Sequence, residues 1–398
     1  MHFRDGRLGR GLFLLLMAGV SVVLVNGCSL LGRRTGNTTN SSNALALLLG
    51  SLEAKYAPDE HLGVYRVGVQ PIGHSLVLTG EVDTAEAKLE TISAIERAGL
   101  KVEDRLRVLP ARELGEKVWG ISCLSVASAR EQPEHKSEMG TQVLMGGVVR
   151  VLKPGTNSLW YYVQTADGYL AWLEKGTFVR CTYDEVETWN RGPQLIVTAF
   201  EDQILEQPQD GAQPVSDVVV ADVVKKLGED GDWYKVELPD HREGFLAKSA
   251  AEEFRDWKGK RRATAENIER TGQMFLGRPY LWGGNSPKGL DCSGFTKLVF
   301  YLNGVELSRN ASYQSREGVE VPLDAELSKL KKGDLLFFGR AARPNRAGSV
   351  HHVGIYLGGK LFIHSSERVQ INSLDPASPI RDELRIRTLL AARRILAQ

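Results

Sequence analysis

Cysteine is scarce in this chain: four residues in 398, at positions 28, 123, 181 and 292. That is far too few for a disulfide scaffold, and no CxxC pair offers a zinc site. An excess of either charge is missing as well, since 50 basic side chains meet 49 acidic ones for a formal charge of +1. No basic stripe is interleaved with aromatics, which excludes nucleic acid as a partner. Nor does the apolar N-terminal run from Leu12 to Val25, about 14 residues, reach the roughly 20 that a membrane-spanning helix needs. What is present is an ordinary globular composition, 42% hydrophobic and 25% charged. The length calls for roughly two to four domains.

The short apolar run has a job of its own. Arg4, Arg7 and Arg10 precede it, the pattern of an export signal. It ends in Val25-Asn26-Gly27-Cys28, which resembles a bacterial lipobox. Residues 1–27 are then a lipoprotein signal peptide, with Cys28 lipidated as the first mature residue and residues 28–43 a polar tether. A plain secretory signal with an incidental cysteine is the alternative. The expected location is outside the cytoplasm, membrane-anchored and facing the periplasm or cell envelope.

Residues 44–112 alternate as helix, strand, strand, helix, strand, with helices over Ala44 to Tyr56 and Thr84 to Ala98. The order resembles small BON-type domains, and an unrelated small α+β unit fits it equally. Short alternating strands separated by Gly, Asp and Asn turns follow, over residues 113–190 and again over 191–257. Trp160-Tyr161-Tyr162-Val163 is matched by Trp233-Tyr234-Lys235-Val236, and each is followed by a turn and an aromatic strand. Such a pair resembles tandem bacterial SH3-like barrels, in which both tryptophans are core. Cys123 and Cys181, near the two ends of the first barrel, either pair as a disulfide in an exported protein or stay free. Residues 258–398, a helix followed by strands, have an α+β plan.

The chemistry lies in this last segment. Cys292 opens an amphipathic run (Phe295, Leu298, Val299, Leu302), so a helix N-terminus should hold its thiolate and lower its pKa. His352 precedes a strand whose Val353 and Ile355 face the core, which leaves His352 beside the open space at Gly354. His351 should point the other way. His364 ends the next strand after a Gly358-Gly359 turn, so a hairpin would bring it beside His352. Nucleophile, base and orienting group are all available.

Five ordered blocks carry a resemblance: Tyr280-Leu281-Trp282-Gly283-Gly284, Asp291-Cys292-Ser293-Gly294-Phe295, Gly333 to Phe338, His352 to Tyr356 and Phe362 to Ser366. Together they resemble the NlpC family of cell-wall cysteine peptidases. The resemblance implies a multidomain α+β protein with a papain-like, NlpC-type catalytic domain. Two SH3-like β-barrels and a small N-terminal α+β domain would precede it. It further implies Cys292 as nucleophile, His352 as general base, His364 as third member, Tyr280 beside the nucleophile and the Cys292 amide as oxyanion donor. No metal or organic cofactor is implied.

The barrels and the stretch Ser366 to Leu374 resemble the γ-D-glutamyl-L-diamino acid endopeptidases, also called dipeptidyl-peptidase VI. These act on peptidoglycan stem peptides with a free N-terminal L-Ala. A free amine is a cation that needs carboxylate or phenol acceptors, and Glu138 and Tyr169 of the first barrel are the candidates. Asp291 and Ser293 flank the nucleophile as further substrate contacts, Asp291 also serving as a helix cap, and Ser312 is another candidate. Two other classes compete: a wall-binding lipoprotein with a spent peptidase domain, and an acyltransferase using the same Cys–His pair.

Overall fold

The computed structural model describes residues 38–344 and 346–396. The signal segment, Cys28 and the first part of the tether lie outside the described residues. Two compact units result, one ending at Gly115 and the other beginning at Glu116.

The first unit has the expected element order. Strands Tyr65–Ile72 and Ser75–Val82 form a hairpin, and Lys101–Val108 joins parallel to the second strand through the crossover helix Ala85–Arg97. Thr84 starts that helix by accepting a hydrogen bond from the Ala87 amide. Its buried Ala87, Ala94 and Ile95 pack on Val82, Leu78 and Leu106. The first helix begins at Thr38 rather than Ala44. Once Leu48 and Leu52 dock on the sheet, each further N-terminal turn adds backbone bonds without a new nucleus.

In the second unit two seven-stranded sheets curl in the same spatial order. The first runs Phe178–Cys181, Trp119–Ser122, Val148–Pro154, Trp160–Thr165, Leu170–Glu174, Val126–Arg130, Met139–Leu144. The second runs Ala251–Glu253, Gln194–Val197, Val223–Asp230, Trp233–Glu237, Glu243–Ala247, Glu201–Leu205, Pro214–Val219. Trp160 is buried as expected, whereas Trp233 is only half-buried. Met145 leaves the first sheet to join the core of the second, and its amide donates to the buried Asp222 carboxylate at 3.0 Å.

Cys123 and Cys181 are both free. Antiparallel pairing sets Ser122 opposite Phe178 and Cys181 opposite Trp119. Cys123 therefore lies beside Thr177, four positions along the strand from Cys181. At ~3.4 Å per residue that is about 14 Å, outside bonding range.

The catalytic region is one six-stranded antiparallel sheet with the helix Cys292–Leu302 on one face. The strand order is Val319–Val321, Leu389–Arg394, Leu335–Arg340, Ser349–Gly358, Leu361–Ser366, Arg368–Ser373. Phe295, Leu298 and Val299 of the helix pack on Leu335, Phe337, Val353, Ile355 and Ile363. The other face buries Leu336, Phe338, Tyr356 and Phe362 under Leu330, Leu374 and Ala392. Alternate residues of each strand thus serve two cores, and His352 and His364 fall on the second face.

Candidate active site

Asp291 builds the nucleophile's platform. Its carboxylate accepts from the Gly294 amide at 2.7 Å, which caps the helix, and from the Gly283 amide at 3.0 Å. Gly283 adopts a φ of 77° and packs so closely on the Met139 backbone that a side chain there would clash. Cys292 is thereby fixed at the first helical position, with the Val353 and Ser293 amides against its sulfur.

Those amides lower the thiol's pKa, but they do not prevail. Burial, followed by the neighbouring Asp291 charge, pushes Cys292 up to about 11. The expected thiolate gives way to a neutral thiol, because complete desolvation outweighs the helix terminus. Burial likewise depresses His352 well below its ordinary value, helped by the Arg385 and His364 charges. Burial takes His364 down to about 4. Both shifts favour the uncharged pair, thiol and neutral imidazole, over an ion pair.

The tautomers follow from a chain of hydrogen bonds. Asn372 Nδ2 donates to the Ile380 carbonyl at 3.1 Å, so its Oδ1 accepts from His364 Nε2 at 2.9 Å. A neutral His364 then has its lone pair on Nδ1, which accepts from His352 Nε2 at 2.7 Å. His352 is left with an unprotonated Nδ1, able to take a proton. A register shift between Phe338 and Gly339, opposite His352, re-aims this part of the strand. Gly354 does not leave open space, as its sequence context suggested. A Cβ there would press on His364 Cβ and Phe362, so the glycine admits the relay. His351 is exposed, and its ring meets Ser349 Oγ at 2.8 Å.

Tyr280, half-buried, is anchored by its amide to the Glu367 carbonyl at 2.8 Å. Burial, then the negative charge of a Cys292 thiolate and of Asp291, raise its phenol pKa, which keeps the hydroxyl protonated and able to donate. Ser293 Oγ donates to Asp291 at 3.1 Å. Ser312 is half-buried in the short helix Ala311–Gln314, and its carbonyl accepts from Ser315. Its neighbour Gln314 instead faces inward, donating to the Ser293 carbonyl at 3.1 Å.

Sequence reasoning missed three residues of this site. Arg309 is 2% exposed and grips Asp291 through both terminal nitrogens, while also donating to Ser293 Oγ at 3.1 Å and Thr141 Oγ1 at 3.0 Å. Its position in a loop hid it. Glu131, rather than Glu138, is the carboxylate at Tyr169, whose hydroxyl donates to it at 3.0 Å. Glu138 is exposed and contributes its carbonyl to the Glu131 amide. A bulge between Ala129 and Arg130 shifts the hairpin register and decides which acid turns inward. Asn372 shares a face with His364 once strand register is set, which alternation alone could have suggested.

The first barrel borders the catalytic site. Asn285 donates to Gln142 through its amide at 2.9 Å and its side chain at 3.1 Å, and Lys297 pairs with Asp167 at 3.1 Å. Gly140, pressed against both Glu131 and Tyr169, follows the Met139 that abuts Gly283. The Glu131–Tyr169 pair is thus one residue removed from the loop that carries Tyr280.

Comparison with known proteins agrees with this assembly. Residues 277–387 match the NlpC/P60 family, and residues 129–176 match the bacterial dipeptidyl-peptidase SH3 domain. A gamma-D-glutamyl-L-lysine dipeptidyl-peptidase of Bacillus cereus is 32% identical over 239 residues, covering 58% of this chain and 68% of that one. The chain belongs to the NlpC/P60 family. It is a cysteine peptidase of that family, built as a multidomain α+β protein with SH3-like domains. Dipeptidyl-peptidase 6 of Lysinibacillus sphaericus is 28% identical over 270 residues, 64% of this chain and 91% of that one. An NlpC/P60 family protein from Bacillus cereus has a similar crystal structure, with a TM-score of 0.58 and 27% identity. The match covers 70% of this chain and all of that one.

Proposed function

We propose that this peptidase hydrolyses the γ-D-Glu–diamino acid bond of peptidoglycan stem peptides that carry a free N-terminal L-Ala. The observation that carries the reading is the Asn372–His364–His352 relay, which leaves an accepting Nδ1 on the histidine next to Val353, whose amide meets the Cys292 sulfur. A spent binding domain has no need of such a relay. Glu131 and Tyr169 supply the acceptors a cationic amine requires, on the side of the site where Asp291 and Ser293 flank the nucleophile.

The steps conserve every proton. The Cys292 thiol gives its proton to His352 Nδ1 as sulfur bonds the γ-carbonyl carbon. The Cys292 amide and the Tyr280 hydroxyl face the oxygen that gains charge. When the C–N bond breaks, the leaving amine takes the proton from His352, and a thioester to L-Ala-γ-D-Glu remains. His352 then draws a proton from water, the hydroxide displaces sulfur, the departing sulfur takes that proton back from His352, and the dipeptide leaves.

Cys292→Ala should abolish release of L-Ala-γ-D-Glu from L-Ala-γ-D-Glu-diaminopimelate, read by mass spectrometry, with an unchanged circular dichroism spectrum. Retained cleavage would sink the mechanism, and equal turnover of N-acetylated substrate would sink the free-amine reading. We further propose that Cys28 is lipidated and holds the enzyme at a membrane facing the cell envelope. Radiolabelled palmitate that enters wild type and not Cys28→Ala tests this.

A further inference from the structure

Arg385 is a charged group beside the site that the mechanism above does not use. It lies on the short helix Glu383–Thr388, and its guanidinium stands over the Phe338 ring at 5.6 Å. Phe338 in turn touches the His352 ring, with centroids 5.8 Å apart. The side chain is 15% exposed, and its Nε is buried without a hydrogen-bond partner among the described residues. The nearest carboxylate, Asp382, stands 3.9 Å away and spends its other oxygen capping the helix through the Arg385 amide. A guanidinium is a fork of five donors, and among the described residues this one has no side-chain hydrogen bond to a protein acceptor.

Its position fixes which part of a substrate it would meet. The amine-binding side of the site comprises Glu131, Tyr169, Asp291 and Arg309, at the helix end of the groove. Arg385 is on the imidazole side, where the departing amine collects its proton. Resting on the proposed cleavage, we infer that Arg385 selects the leaving group by pairing with a carboxylate of the diamino acid that departs. Either the α-carboxylate or the distal carboxylate of diaminopimelate supplies the same chemistry. The electrostatics agree: burial, chiefly, lowers the Arg385 pKa, and the Asp382 carboxylate offsets it only in part. A bidentate carboxylate would restore the solvation the cation has lost.

The test compares wild type, Arg385→Gln and Arg385→Lys on four peptides that share L-Ala-γ-D-Glu. They end in diaminopimelate, in diaminopimelate amidated at its distal carboxylate, in Lys, and in Lys-amide, which has no carboxylate. Wild type should favour diaminopimelate over Lys-amide by about 10- to 100-fold in kcat/KM, mostly through KM, with Lys matching diaminopimelate if the α-carboxylate is read and matching Lys-amide if the distal one is. Arg385→Gln should bring all four to the Lys-amide level, and Arg385→Lys should keep part of the preference. Distal amidation separates the two carboxylates, since a drop assigns the distal group and no drop the α group. Free diaminopimelate should inhibit wild type more strongly than Arg385→Gln. Equal slowing of all four peptides would overturn the assignment, as would a loss that follows replacement of D-Glu by D-isoglutamine. If wild type cuts none of the peptides, the cleavage proposed above fails and this assignment with it.

Discussion

The two barrels of this peptidase are the same device put to different uses. Strand order, the bulge in the second hairpin arm and the short 3-10 turn before the last strand all recur. Backbone bonds align them residue by residue. The Glu131 amide donates to the Glu138 carbonyl at 3.0 Å, and the Glu206 amide donates to the Gln213 carbonyl at 2.9 Å. The Tyr169 carbonyl accepts from Thr165, as the Arg242 carbonyl does from Leu238. The pair Glu131–Tyr169 in the first barrel therefore corresponds to Glu206–Arg242 in the second. Glu206 is exposed, and Arg242 reaches the Cys123 carbonyl at 3.3 Å and the Val215 carbonyl at 2.8 Å, bridging the barrels. A repeated framework thus separates scaffold from proposed recognition, since the pair assigned to the substrate amine in one barrel is replaced in the other by an exposed Glu206 and a joint-bridging Arg242.

The sharpest way to break this comparison is through its arginines. Arg309 couples the catalytic domain to Thr141 of the first barrel from a fully buried position, with Asp291 as its counter-charge. Arg309→Met should cost about 3–5 kcal/mol of folding stability, because it strands the Asp291 carboxylate in the interior. Arg242→Met leaves Asp240 in contact with water and should cost about 1 kcal/mol. Denaturant titration of both variants decides the matter. Equal losses would mean that Arg309 is no more of a linchpin than its barrel-joint counterpart.

The recognition pair gives the next largest effect. Glu131→Gln removes a charged acceptor and should lower kcat/KM on the free-amine peptide by roughly 10- to 150-fold, the worth of about 1.5–3 kcal/mol. Glu206→Gln, at the equivalent place, should leave it within about twofold. N-acetyl substrate should respond to neither change. A loss shared by both glutamates would erase the distinction drawn between the barrels.

How much of this was legible before folding depends on how local the determinant is. Cys292, His352 and His364 follow from short motifs, a helix start and a Gly-Gly turn, all within a few residues. Glu131, Arg309 and Asn372 depend on register and on contacts between distant segments. One bulged position exchanges Glu131 for Glu138, and sequence alone does not count bulges. The register of the first and last strands of the first barrel likewise keeps Cys123 and Cys181 apart. The helix terminus at Cys292 was readable, whereas the desolvation that overrides it was not, since burial belongs to the assembled core.

A smaller effect belongs to Asn372, the polar residue that sets both histidine tautomers. Asn372→Ala should lower kcat about tenfold with little change in KM, because the imidazoles lose their orientation and the substrate contacts stay. A change confined to KM would place Asn372 outside the relay.

The pH profile distinguishes the two sides of the site most finely. On the acid side, kcat/KM requires neutral His352, whose buried ring resists protonation, so activity should persist below pH 6.5 before it falls. Folding stability shares that window. His364 titrates near 6.5 when unfolded and about 4 when folded, so the unfolded chain binds the extra proton between these values. The stability it contributes is whole above pH 6.5 and is lost as the pH falls toward 4. On the alkaline side the enzyme's own thiol would act only near 11, far above the ~8 of a peptide amine. If Glu131 and Tyr169 read that amine as a cation, kcat/KM should decline from about pH 8 and Glu131→Gln should flatten the decline. A wild-type plateau that continues to pH 10 would show that the first barrel does not sense the charge, and would leave the two barrels functionally alike.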